Sequence, residues 1–172
     1  MRWEDTANQT CSIARSMSIF GDRWTLLVIR QVFMRVRRFS EIQATLGISK
    51  HRLSDRLTRL VDEGVLEKVA YDAGKTRFEY RLTEKGLDLY PILVTIAQWG
   101  DKWMADEDGR PFIYRHNGCE HPADPIVCCA QCGEPINAHN CKAEIGPGIM
   151  AKLTRGEFTK EEQEQYSALR KS

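Results

Sequence analysis

Apolar residues recur at helical spacing through the first third of the chain, alternate near residue 80, return to helical spacing, and thin out after residue 110. Ile13, Met17 and Phe20 predict a short amphipathic helix from Cys11 to Phe20, broken by Gly21. Asp22 caps a second helix, about Arg23 to Met34. Trp24, Leu27, Val28 and Val32 form its buried stripe, and Leu26 and Ile29 widen it. Ser40 is the expected cap of a third helix, where Ile42 and Leu46 share a face. Gly47 ends that helix in the left-handed conformation, and Ser49 caps a fourth only two residues later. Along the fourth, Leu53, Leu57, Leu60 and Val61 fall at i, i+4, i+7 and i+8, and Gly64 ends it. Val65–Tyr71 then reads as a strand, Asp72–Lys75 as a turn, and Thr76–Leu82 as a second strand with Phe78, Tyr80 and Leu82 on one face. Thr83 caps a long helix to Met104, apolar over much of its girth, with Pro91 inside it as a possible bend.

Two helices joined by a glycine turn, the second apolar behind and basic in front, have the spacing of a DNA-binding helix-turn-helix. The front carries His51, Arg52, Asp55 and Arg59, and a hairpin directly after such a helix is a wing. Charge supports this reading only locally. Formal net charge is +1, yet residues 23–81 hold 13 Lys and Arg against 7 Asp and Glu. Phosphate contact needs a basic face, not a basic protein. The candidate DNA contacts are Arg38, Ser49, Lys50, His51, Arg52, Arg56 and Arg59, with Lys75 and Arg77 on the wing. Arg35, Arg37 and Arg38 read equally well as solvated charges complementing a helix C-terminus. The long helix has more apolar surface than so small a domain covers, which points to a homodimer.

The last third has a different composition. Five of the six cysteines lie between Cys119 and Cys141. No apolar run is long enough to span a membrane and the N-terminus has no signal core, so a cytoplasmic location is expected. In a reducing compartment such a cluster points to metal rather than disulfides. His116-x2-Cys119 and Cys129-x2-Cys132 have the spacing of zinc-ribbon knuckles, and Gly133 frees the backbone beneath the second sulfur. His116, Cys119, Cys129 and Cys132 are therefore the expected ligands of a structural Zn²⁺, with Cys128, His121, His139 and Cys141 as alternatives. The segment is too polar to build a core alone, which gives the metal a purpose. The division expected is a winged helix-turn-helix at 11–105, a Cys/His-rich ribbon-like module at 110–150 and a charged tail at 151–172. No Ser-His-Asp set, carboxylate pair or phosphate loop suggests catalysis. Competing readings are a thiol-redox protein using Cys129 and Cys132, and an interaction module that keeps the fold without binding DNA.

From Cys11 to Met104 the chain resembles the HxlR family of bacterial winged helix-turn-helix regulators. The resemblance rests on Cys11, Gly21–Arg30, Arg38–Ile42, Gly47–Ser49, Leu53–Leu57, Gly64–Leu66, Glu79–Thr83, Gly86 and Trp99-Gly100. It implies an α+β fold, and a homodimer built on the first and last of these helices. It also implies a transcription regulator, expected here to be a repressor, often one that responds to electrophiles or aromatic metabolites. Cys11 is the thiol it suggests for sensing, although Ser12 stands where the family commonly has Pro. Trp99 and Trp103 are expected to line an effector pocket. Some longer family members carry a similar Cys-rich tail; Glu120 here replaces a Gly of that pattern.

Overall fold

The computed structural model describes residues 7–72, 74 and 76–169. The fold is α+β. Its core joins α1 (Ser12–Phe20), α2 (Thr25–Phe33), α3 (Phe39–Leu46) and α4 (Lys50–Asp62) to a two-stranded antiparallel sheet. The strands, β1 (Leu66–Ala70) and β2 (Phe78–Leu82), pair in a register that sets Leu66 opposite Leu82 and Ala70 opposite Phe78. Two helices follow, α5 (Glu84–Leu87) and α6 (Tyr90–Met104); a further pair, α7 (Pro147–Thr154) and α8 (Lys160–Leu169), closes the chain.

Local chemistry accounts for most of these boundaries. The Asp22 carboxylate accepts from the amides of Trp24 at 2.9 Å and Thr25 at 3.2 Å, which starts α2. Gly47 takes φ 62° and Gly64 φ 67°, the left-handed positions that end α3 and α4. Ser49 Oγ accepts from the Arg52 amide, as its position predicts. At α3 the structure departs from expectation. Helix begins two residues earlier, with Arg38 rather than Ser40 at the cap, because Glu41 reaches back to accept from the Arg38 amide at 3.3 Å.

The core sits where α2, α3 and α4 meet the hairpin. Val28, Ile29, Ile42, Leu53, Leu57, Leu60, Val65 and Leu66 are buried. The α4 stripe is the predicted one. On α2 the buried face centres on Thr25, Val28, Ile29 and Val32 instead, which turns Leu26, Leu27 and Arg30 toward α6. The Tyr80 amide donates to the Arg37 carbonyl at 2.9 Å, tying the wing to the α2–α3 link.

The long helix expected from Thr83 to Met104 is two helices. Thr83 caps α5, accepting from the Gly86 amide at 3.2 Å, and the chain breaks at Asp88 and Leu89. Pro91 then falls in the first turn of α6, where a missing N–H costs nothing, rather than bending a continuous helix. Gly86 lets α5 sit close to the hairpin. A Cβ there would collide with the Val65 carbonyl oxygen and come within 2.9 Å of Leu82, so α5 is pressed against the root of the hairpin. None of the α6 residues is buried.

The cysteine-rich segment folds as two turns built to one plan. Arg115 bridges to Pro122 and, thirteen residues on, Cys128 bridges to Pro135. The Glu120 amide donates to the His116 carbonyl and the Gly133 amide to the Cys129 carbonyl, each at 2.8 Å. Glu120 and Gly133 both have positive φ, 60° and 76°. Glu120 thus occupies the strained position that glycine fills in the second turn. α7 lies outside the elements that the apolar pattern predicts; its Lys152 donates to Thr10 Oγ1 at 3.1 Å, which ties it to the segment before α1.

Candidate nucleic-acid interface

α4 presents one buried and one open face. Lys50, His51 and Arg52 are exposed in its first turn, beside the Ser49 cap. A helix N-terminus with free basic side chains is the geometry that reads base edges in a major groove. His51 Nδ1 lies 3.1 Å from the Asp55 carboxylate one turn on, which orients its ring.

Arg56 and Arg59 are half-buried and held by other parts of the protein. Arg56 Nε lies 3.4 Å from Asp22 Oδ1, with its side chain only 28% exposed, and Arg59 donates to the Ser18 carbonyl of α1. These contacts brace α4 against α1 and α2. Helical spacing alone does not distinguish them from Arg52, because Asp22 and Ser18 are distant in sequence. Burial by itself would raise the Asp22 pKa. The Thr25 hydroxyl, the Trp24 amide, the Arg56 guanidinium and the Thr25 amide together outweigh it and hold the carboxyl below its usual value.

Arg38 is exposed between α3 and the wing; its guanidinium lies 4.6 Å from the Tyr71 ring centre and 3.4 Å from Glu41. Arg77 is exposed at the hairpin tip, where its amide donates to Asp72 at 2.9 Å. Lys75 lies outside the described residues. Of the candidate contacts among the described residues, the open basic ones are therefore Lys50, His51, Arg52, Arg38 and Arg77.

The other candidates lie elsewhere. Cys11 is exposed at the N-cap of α1. Trp99 and Trp103 are 60% and 65% exposed on α6 and line none of the cavities described below; Trp103 lies under Lys102. Among the described residues all six cysteines are free thiols. Cys119 Sγ lies 3.5 Å from His116 Nδ1. Hydrogen bonds from the Cys132 and Gln131 amides, then from the Cys132 thiol, pull the Cys129 thiol below its ordinary pKa. Yet among the described residues no three His, Cys, Asp or Glu side chains converge as a ready metal set. No helix starts at Cys129, so the thiol lacks the helix dipole that activates redox cysteines. No helix among the described residues is long and apolar enough to cross a membrane.

Comparison with known proteins agrees with this geometry. The uncharacterised HTH-type transcriptional regulator Rv3095 of Mycobacterium tuberculosis is 44% identical over 142 residues, 83% of this chain and 90% of the relative. YvaP of Bacillus subtilis, also an uncharacterised HTH-type regulator, is 38% identical over 91 residues, 52% of this chain and 84% of its own. The crystal structure of PA1607, a proposed transcription factor, superposes with a TM-score of 0.75 at 32% identity, covering 83% of this chain and 99% of that one. The matches to Rv3095 and PA1607 are long enough to run into the cysteine-rich extension. The family model described as HxlR-like helix-turn-helix matches residues 19–108, the α2–α6 region that carries the open basic face. The chain belongs to this HxlR-like helix-turn-helix family of transcriptional regulators.

Proposed function

We propose that the protein is a homodimeric repressor that binds a specific operator. The observation that carries the reading is the division of α4: Leu53, Leu57 and Leu60 are buried behind it, while Lys50, His51 and Arg52 are exposed in front. Arg52 is the residue to read guanine as a bidentate donor. Arg38, Arg77 and Lys75 would bind phosphate or the minor groove and set the register.

The dimer reading rests on α6. Ile92, Ile96, Trp99 and Trp103 fall at spacings of four, three and four, and all are exposed. That is the spacing expected of a helix that pairs with another. Ile13 on α1, 73% exposed, is a second apolar residue in want of cover. Pairing through this seam presents two α4 helices to half-sites about 34–36 Å apart. Repression would follow from occupying a promoter, and a small aromatic or electrophilic effector would release it.

The cysteine module is proposed to hold one structural zinc through His116, Cys119, Cys129 and Cys132. A tetrahedral zinc, about 2.3 Å from sulfur and about 2.0 Å from nitrogen, sets those atoms about 3.5 Å apart. The His116–Cys119 separation fits, and the second turn aims two amides at its first sulfur as a knuckle does. Both turns must close on the ion, which would supply the cross-link that this polar segment lacks.

The test is selection from random duplexes with the full-length protein, followed by light scattering on the complex. Enrichment of a two-fold symmetric site and a mass of two chains per duplex are expected. Recovery of no preferred sequence would remove the repressor reading, and one chain per duplex the dimer.

A further inference from the structure

A cavity of about 280 Å³ lies where three segments meet. Leu26, Leu27 and Arg30 of α2 form one wall, and Leu93, Ile96, Ala97, Gly100 and Asp101 of α6 form the second. Pro111, Phe112 and Tyr114, leading into the first knuckle turn, close it from above. The lining is mostly aliphatic and aromatic, with few polar groups. Arg30 is the exception that matters. Its Nε is buried and, among the described residues, has no hydrogen-bond partner. A cation partly stripped of water against leucines is costly until an anion meets it.

The geometry points to a binding site for a single-ring aromatic carboxylic acid. Size selects the ring: a cavity of about 150 Å³ holds benzene, and drug-sized ligands need about 300–1,000 Å³. The apolar walls take the ring faces and Arg30 takes the carboxylate, as a two-pronged donor. Asp101 and Tyr114 offer an acceptor and a hydroxyl for a ring hydroxyl substituent. Gly100 faces open space, since a Cβ built on it meets nothing within 4 Å. The site deepens the effector part of the proposed function, because a ligand here clamps α2 to the helix that carries the dimer seam. It rests on that reading only for its purpose. Binding is measured without DNA, so failure of the site and failure of the repressor reading are seen separately.

The experiment is isothermal calorimetry of the full chain with 4-hydroxybenzoate, and with 4-hydroxybenzamide as its uncharged match. One acid per chain is expected, saturating below about 1 mM, with the amide at least tenfold weaker. Arg30→Gln should weaken the acid at least tenfold and leave the amide unchanged. Gly100→Leu should abolish binding by filling the cavity, with secondary structure and melting temperature retained. If Gly100→Leu unfolds, Ala97→Leu fills the same space from the next turn and is read in its place. No saturable heat up to about 10 mM, equal binding of acid and amide, or undiminished binding by the filled variant would each overturn the assignment.

Discussion

Asp22 Oδ1 lies 3.4 Å from Arg56 Nε, so the carboxylate that starts α2 also anchors the helix proposed to read DNA. One residue thereby couples a local cap to the placement of α4. Its ionised form carries both contacts. Because the folded pKa is depressed, the stabilisation is complete above the usual aspartate range and is lost as pH falls through the folded value. Asp22→Asn should cost about 1–2 kcal/mol at neutral pH, and the gap to wild type should narrow below about pH 4. Urea melts across that range measure it; a gap independent of pH would show that the charge is not involved.

Arg52 and Arg56 differ by one helical turn and should differ in kind. Arg52→Ala is expected to lose about 1–3 kcal/mol of operator affinity and to relax preference at one base pair, without changing stability. Arg56→Ala should lower the melting temperature first. On the wing, Arg77→Ala and Lys75→Ala should weaken all sequences alike and each reduce the salt slope by about 1. Gel shifts against operator and scrambled duplex separate these outcomes. Unchanged operator binding in both Arg52→Ala and Lys75→Ala would refute the placement.

Two glycines should respond to alanine with opposite signs. Gly86→Ala drives a methyl group into the Val65 carbonyl, and about 1–3 kcal/mol of destabilisation is expected. Gly100→Ala adds a methyl group in open space on a helix and should stabilise by up to about 1 kcal/mol. Denaturant midpoints of the two variants, read against wild type, check the pair.

Cys11 is exposed at the start of α1, where a modified thiol would lie beside the proposed dimer surface. If it senses electrophiles, diamide or a quinone should release wild-type protein from its operator and leave Cys11→Ser bound. Equal release of both would remove Cys11 from the mechanism, leaving it the role of a cap residue.

Protein purified without added metal should carry about one zinc per chain by elemental analysis, and chelation should expose residues 110–150 to protease. The Cys129→Ser/Cys132→Ser double variant should lose the metal yet keep DNA binding. Substantially less than one zinc, with the segment still resistant, excludes the structural role.

What was legible in the sequence was local. Ser49 and the leucines at 53, 57 and 60 specify α4 because cap and stripe lie within one helix. The wing was legible because alternation and a turn define a hairpin, although the strands are shorter than read, Leu66–Ala70 and Phe78–Leu82. The thirteen-residue echo of the two cysteine turns was written in the ligand spacing, but the positive φ of Glu120 was not, since that position usually takes glycine. Contacts between distant segments were decided only in three dimensions. Nothing near residue 86 announces that Val65 will press on it. Arg56 and Arg59 have the spacing of DNA contacts until Asp22 and Ser18, 34 and 41 residues away, claim them. The cavity beside Arg30 needs α2, α6 and the approach to the first cysteine turn together, and the tryptophans expected to line an effector pocket are exposed instead. The reason is physical. Caps and periodicities act within a turn or two of backbone, whereas the direction a side chain finally faces depends on which remote element packs beside it.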